Sequence, residues 1–201
     1  FIEYGAMALA AQRRRRSPEE LRELSPADGL ISGIGTVNAA LFDSAAARCM
    51  AIAYDYTVFA GTQGMMNHKK TDRMLALAEQ LRLPLVLFAE GGGGRPGDTD
   101  FVGVAGLDCH TFAGMARLSG LVPLVGVVSG RCFAGNAALL GCCDVIIAAQ
   151  DATIGMAGPA MIEGGGLGVY DPDEIGPLSV QVANGVIDVA VADEAEAVAV
   201  A

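Results

Sequence analysis

The chain has 201 residues, 52% of them hydrophobic, with a formal net charge of -10, a pI near 4.5 and a mean hydropathy of +0.43. This is enough for one domain with a large core, yet no apolar run reaches the roughly 18 residues that a membrane span requires. The acidic balance argues against a nucleic-acid surface, where Lys and Arg neutralise phosphates, and favours a small or buried ligand. Residues 3–24, rich in Ala and Arg, predict a helix, in which Arg13 to Arg16 form a solvated face. A turn follows at 25–29, and residues 30–62 predict two or three antiparallel strands punctuated by Gly, Asn and Asp. Met74, Leu75, Leu77, Ala78 and Leu81 have helical spacing, which predicts an amphipathic helix with Thr71 as its N-cap.

From residue 84 the pattern changes. The apolar strand 84–90 leads into four consecutive glycines, Gly91 to Gly94, and then a helix over 109–120. A second apolar strand, 122–130, leads into Arg131–Asn136 and a short helix. A third, Cys142–Ala149, follows. Continuous apolar strands alternating with helices predict a sheet buried on both faces, hence an α/β fold. The tail predicts a helix after an Asp cap at 171–185, a strand over 186–192 and a helix from 193. The five cysteines have no C-x-x-C spacing and read as thiols of a reducing compartment, hence a cytoplasmic location. The chain starts at Phe1 without a signal-peptide pattern and reads as a piece of a longer polypeptide.

Glycine is costly to order, so four in a row ask for a reason such as a positive φ or a close approach of backbone to ligand. Both glycine-bearing loops leave a buried strand and enter a helix, a geometry that turns N–H groups towards an anion. No G-x-x-x-x-G-K-[ST] of a P-loop is present, and "GIGTVN" at 33–38 lacks the third glycine of G-x-G-x-x-G and lies in a β-rich stretch rather than at a strand-to-helix turn. His68 and His110 lie in no nucleophile and base pattern with Ser or Cys, and Asp171 to Glu174 read as a turn and cap rather than a metal site. The chain therefore presents oxyanion donors without an obvious side-chain base, as suits a reaction that stabilises an enolate while another molecule moves the proton.

Residues 129–159, "SGRCFAGNAALLGCCDVIIAAQDATIGMAGP", resemble the crotonase superfamily. Within it, "FIEYG", "DGLISGIGTVN", "YDYTVFAGTQG", "GGGGRPG", "GRCFAGNA" and "ANGVIDVAVADEAEAV" resemble, in order, the carboxyltransferase component of biotin-dependent acyl-CoA carboxylases, above all the variants in long multidomain enzymes. The resemblance implies a ClpP/crotonase superhelix of β-β-α repeats, with residues 1–201 forming a single domain, the acyl-CoA-binding N-terminal half, and the C-terminal half absent. It implies transfer of a carboxyl group from carboxybiotin to the α-carbon of an acyl-CoA, with Gly93, Gly94, Ala134 and Gly135 as the N–H donors to the thioester enolate. Lys69, Lys70 and Arg95 are the candidate CoA contacts.

The implied partners are the acyl-CoA, biotin carboxyl carrier and biotin carboxylase domains, the second carboxyltransferase half, and further copies of the enzyme through carboxyltransferase dimers. Biotin would be carried on another domain, while ATP and bicarbonate would be used by the biotin carboxylase. Two departures stand out. The family more often has Cys-Ala-Gly-Gly-Ala where this chain has Cys132-Phe133-Ala134-Gly135-Asn136-Ala137. Ala138 occupies the place of the hydratases' catalytic glutamate, which disfavours hydration. The alternatives are another crotonase-fold CoA-thioester enzyme (decarboxylase, isomerase or hydratase), with Glu90 or Glu163 as acid, or a non-catalytic assembly half-domain. The fragment alone is expected to be inactive and to expose an apolar dimer face.

Overall fold

A computed structural model describes residues 1–100 and 109–201. The elements run β1 (Ile2–Glu3), α1 (Pro18–Leu24), β2 (Leu30–Thr36), β3 (Arg48–Tyr54), α2 (Met65–Leu81), β4 (Leu85–Phe88), α3 (Thr111–Leu118), β5 (Leu124–Val128), β6 (Arg131–Phe133) and α4 (Gly135–Leu140). They continue with β7 (Val145–Ala149), β8 (Thr153–Gly155), α5 (Pro159–Gly164), α6 (Leu178–Ala183), β9 (Val189–Val191) and α7 (Glu194–Val200). Seven strands form the main sheet in the order β1-β2-β3-β4-β5-β7-β9. The first three pair antiparallel and the remainder parallel.

The parallel strands skip β6 and β8 because these pair with one another in a second, two-stranded parallel sheet. β5 and β7 are thus each followed by a short strand and then a helix: β5-β6-α4 and β7-β8-α5. After β4 the short strand is reduced to a bridge between Gly91 and Cys132. This repeat matters for the site, because it delivers the segments after β4 and β5 to the same edge. The fold is α/β, as the apolar strands predict.

The strands are apolar because both faces are covered. On β7, Ile146 and Ala148 join the main core with Leu85, Leu87, Leu118, Leu124 and Leu140, whereas Ile147 and Ala149 pack with Val127, Val191 and Ala197 on the opposite face. Each large apolar side chain buried this way contributes about 1.5–3 kcal/mol. Gly126 of β5 admits α4, since a Cβ there would lie 2.5 Å from Leu140 Cδ1. Among the described residues no helix is long and apolar enough to cross a membrane. Met161, Leu167 and Val169, in and after α5, are exposed.

Three sequence expectations need correction. Residues 171–185 are not one helix: Pro172–Glu174 form a 3₁₀ turn, and α6 starts only at Leu178, after Pro177. Residues 3–24 are not one helix: Ile2 and Glu3 pair with β2, and Gly5 turns the chain at φ +71°. The backbone N–H groups of Arg13 and Arg14 then donate to the Asp100 carboxylate at 2.6 and 3.0 Å. The helix starts only at the capping box of Ser17 and Glu20, with Pro18 in its first turn. Thr71 is likewise not an N-cap. α2 begins six residues earlier, and Thr71 donates within it to the Asn67 carbonyl at 3.0 Å. Its first N–H, from Met65, is capped by the Asp98 carboxylate at 2.8 Å, from a loop 33 residues away in sequence.

Candidate functional site

The glycine loop after β4 and the loop around Ala134 are bonded together along their length. Gly91 N–H donates to the Arg131 carbonyl at 2.7 Å, and Phe133 N–H returns to the Gly91 carbonyl at 2.8 Å. A Cβ on Gly93 would lie 2.6 Å from Ala134 Cβ and 3.5 Å from Gly135 N, so the two loops meet face to face. Gly93 has φ +84° and leaves no room for a side chain.

The four expected donors divide into two kinds. Gly93 N–H donates to Asn136 Oδ1 at 3.0 Å, and Ala134 N–H to the Gly155 carbonyl at 2.9 Å. Both are therefore engaged within the protein. The N–H groups of Gly94 and Gly135 have no acceptor among the described residues. Gly94 is exposed and Gly135 half-buried. A Cβ on Gly94 would meet nothing within 4 Å, so its smallness serves nothing inside the fold. At Gly135 a Cβ would run into Gln63 Oε1, whose buried carboxamide donates through Nε2 to the Tyr54 hydroxyl at 3.0 Å.

Ala134 holds the loop in an unusual shape, with φ 52° and ψ -117°. Such a conformation costs an L-residue about 1–3 kcal/mol. Ala134→Gly is therefore expected to raise stability by about 1 kcal/mol, after the greater flexibility of glycine in the unfolded chain is counted. Calorimetry checks this; an unchanged or lower melting temperature would contradict it.

Of the expected CoA contacts, two are enclosed. The Arg95 side chain is 4% exposed and pairs with Asp28, which is fully buried, and with Asp98 at 3.7 Å. It also donates to the Thr62 carbonyl at 2.8 Å and lies 5.0 Å from the centre of the Phe59 ring. Burial raises the Asp28 pKa, while Arg95 pulls it down. Lys70 is buried and donates to the carbonyls of Ala27, at 2.7 Å, and Leu30. Both cations are thus engaged within the protein, each by the 27–30 segment. Lys69 is exposed and, with Arg13, Met7, Met65, Met66 and Asp100, lines a cavity of about 340 Å³ at the start of α2.

The side chains named as possible acids stand apart from this arrangement. Glu90 Oε1 accepts from the Ser129 N–H at 2.6 Å and from its hydroxyl at 3.1 Å, and Glu163 is exposed on α5. His110 is exposed at the start of α3. His68 departs from expectation, since Cys109 Sγ lies 3.3 Å from its Nδ1. Thr111 Oγ1 is also 2.8 Å from Nδ1 and gives its own proton to Asp72. Nδ1 must therefore carry the hydrogen and donate, so it is not a base for Cys109.

Burial lowers the His68 pKa below its ordinary 6.5, with Asp72 pulling upwards. The unfolded chain thus takes up the proton first as pH falls. The stability from the neutral ring is fully present above pH 6.5 and is lost as pH drops through the lowered folded value. His68→Gln is expected to flatten the loss of stability on going from about pH 6.5 to about pH 5 in denaturation curves; an unaltered slope would contradict it.

The geometry alone could have been read from sequence only in part. The glycine run signalled the loop, but Asn136, Gln63 and the buried Asp28 carried no local mark. Comparison with known proteins adds the following. The family model described as "Carboxyl transferase domain" matches residues 1–201. A solved single-chain, multi-domain long-chain acyl-CoA carboxylase is 64% identical with a TM-score of 0.94, over 100% of this chain and 20% of that one.

The beta4 subunit of a biotin-dependent long chain acyl-coenzyme A carboxylase from Mycobacterium tuberculosis is 28% identical over 98% of this chain and 35% of its own length. The mitochondrial methylcrotonoyl-CoA carboxylase beta chain of Dictyostelium discoideum is 28% identical over 89% of this chain and 30% of its own. The chain thus spans about a third of the length of these curated relatives. The transcarboxylase 12S structure, at 24% identity and a TM-score of 0.77, shares the crotonase-like fold.

Proposed function

Because the chain belongs to the carboxyl transferase domain family, we propose that it is the acyl-CoA-binding half of a biotin-dependent carboxyltransferase that places a carboxyl group on the α-carbon of an acyl-CoA. The observation that carries this reading is the pair of unclaimed N–H groups, Gly94 and Gly135, on loops locked face to face. A thioester oxygen that accepts from both gains negative charge as the α-proton leaves. Fixed donors therefore favour the enolate over the ground state. The open space beside Gly94 suits the close approach of a thioester.

The neighbouring side chains fit a proton acceptor that comes from outside this segment. Ala138 offers only a methyl group, and Glu90 is tied to Ser129. When bound, carboxybiotin supplies the carboxyl group and a ureido group able to take the proton. Gly94 and Gly135 hold the thioester oxygen, Gly93 and Ala134 shape the loops, and Lys69 with Arg13 bind CoA phosphates at the mouth of the cavity lined by Met7, Met65 and Met66. Likeness to a long-chain carboxylase supports a long acyl chain.

The remaining partners follow from the same reading. Carrier and biotin carboxylase domains, the latter using ATP and bicarbonate, act with this half in the cytoplasm. The exposed apolar residues of and after α5 form the face for the second carboxyltransferase half and for dimers. The test is incorporation of labelled bicarbonate into a panel of acyl-CoAs by the intact polypeptide supplied with ATP. Label in long acyl-CoAs, abolished by avidin, supports the reading. A folded, biotinylated polypeptide that transfers no label to any acyl-CoA overturns it.

A further inference from the structure

Asn136 lies fully buried in the first turn of α4, yet its carboxamide serves the other loop. Oδ1 accepts the Gly93 N–H at 3.0 Å, and Nδ2 donates to the Gly61 carbonyl at 3.3 Å. The same group fills the space that a side chain at position 91 would need, with Cγ 2.7 Å from the place of such a Cβ. It thus connects α4, the glycine loop and the turn at Phe59–Gly61 through one side chain.

The consequence falls on the next peptide. The Gly93 carbonyl accepts from Gln63 N–H at 2.7 Å, and Arg95 N–H returns to the Gln63 carbonyl at 2.9 Å. In a trans peptide the C=O and N–H point in opposite directions, so holding the Gly93 carbonyl on Gln63 aims the Gly94 N–H the other way. Gly93 is then fixed at both ends, by Asn136 at its N–H and by Gln63 at its C=O. Glycine would otherwise allow the loop many orientations.

From this geometry we infer that Asn136 is a positioning residue for the carboxyl-transfer reaction: it fixes Gly93 and thereby the direction of the Gly94 N–H, without touching the reacting atoms. The inference rests on the reading of Gly94 as a donor to the thioester oxygen.

The experiment combines two readouts on the intact polypeptide. In amide exchange resolved to the Gly91–Arg95 peptide, Asn136→Ala is expected to speed exchange of the Gly93 amide by about tenfold or more, whereas Asn136→Asp, which keeps the acceptor, stays within about threefold of wild type. In carboxylation kinetics, Asn136→Ala is expected to lower kcat by about ten- to a hundredfold with KM for acyl-CoA within about threefold, and Asn136→Asp to recover most of that loss. If Asn136→Ala does not fold, Asn136→Ser, too short to reach Gly93, carries the same comparison.

Unchanged exchange at Gly93 in the Ala variant overturns the inference. So does faster exchange with unchanged kcat, a change confined to KM, or an Asp variant as slow as Ala while Gly93 stays protected. Failure of the underlying reading looks different: the wild-type polypeptide then carboxylates no acyl-CoA, although the exchange readout still reports on the Asn136 bond.

Discussion

Replacing Gly94 by proline in the intact polypeptide is expected to lower kcat/KM for carboxyl transfer by about a hundred- to a thousandfold. Proline deletes the backbone hydrogen of Gly94, which alone among Gly91 to Gly94 has no acceptor among the described residues. The loss of a single oxyanion donor elsewhere costs about 3 kcal/mol in the transition state, which sets this magnitude. Gly94→Ala is the paired control. It keeps the N–H and meets no protein atom within 4 Å, so the fold is expected to be unchanged. A raised KM in that variant would report the thioester's approach. Gly135→Pro is a less clean experiment, because the ring would collide with Gln63. Wild-type kinetics in a folded Gly94→Pro variant would remove Gly94 from the site.

Arg95→Met is expected to destabilise the domain by about 3–5 kcal/mol, the usual consequence of leaving a buried charge without its partner. The Asp28 and Arg95 side chains are 0% and 4% exposed, so water cannot replace the lost guanidinium. Asp98 would lose a partner as well, while still capping α2 through Met65. For a domain of this size the change corresponds to a fall of roughly 6–20 °C in melting temperature, measured by calorimetry on the intact polypeptide. Asp28→Asn combined with Arg95→Met is expected to recover part of the loss, since the orphaned carboxylate is then removed. A fall equivalent to less than about 1 kcal/mol in the single variant would contradict the assignment of Arg95 to the buried pair with Asp28.

These two results separate what the sequence carries from what only the fold supplies. Local features were readable: the apolar strands 84–90 and 122–130, the glycine run and the Asp171 cap all signal their structure within a few residues. Non-local features were not. Arg95 reads as a cation available to a phosphate until Asp28, 67 positions earlier, is seen to face it. Lys70 is withdrawn in the same way by two carbonyls.

The site shows the same division. The four glycines announce a loop with exposed backbone, but sequence cannot say which N–H groups remain unclaimed. Gly93 and Gly94 are neighbours of one type, yet one is engaged by a side chain 43 positions away and the other by nothing described. The N-terminal expectation failed for a related reason. Ala and Arg favour helix locally, whereas tertiary bonds from Asp100 and pairing with β2 hold the chain extended or turned. The capping box at Ser17 and Glu20 was a local signal that marked the true helix start.

The most direct test of the central claim is the infrared carbonyl stretch of a ¹³C-labelled acyl-CoA thioester bound to the intact polypeptide without bicarbonate. If Gly94 and Gly135 hold the thioester oxygen, the band moves to lower wavenumber than in free acyl-CoA, and Gly94→Pro returns much of that shift. A bound thioester whose band matches that of free acyl-CoA in the wild type would contradict the account.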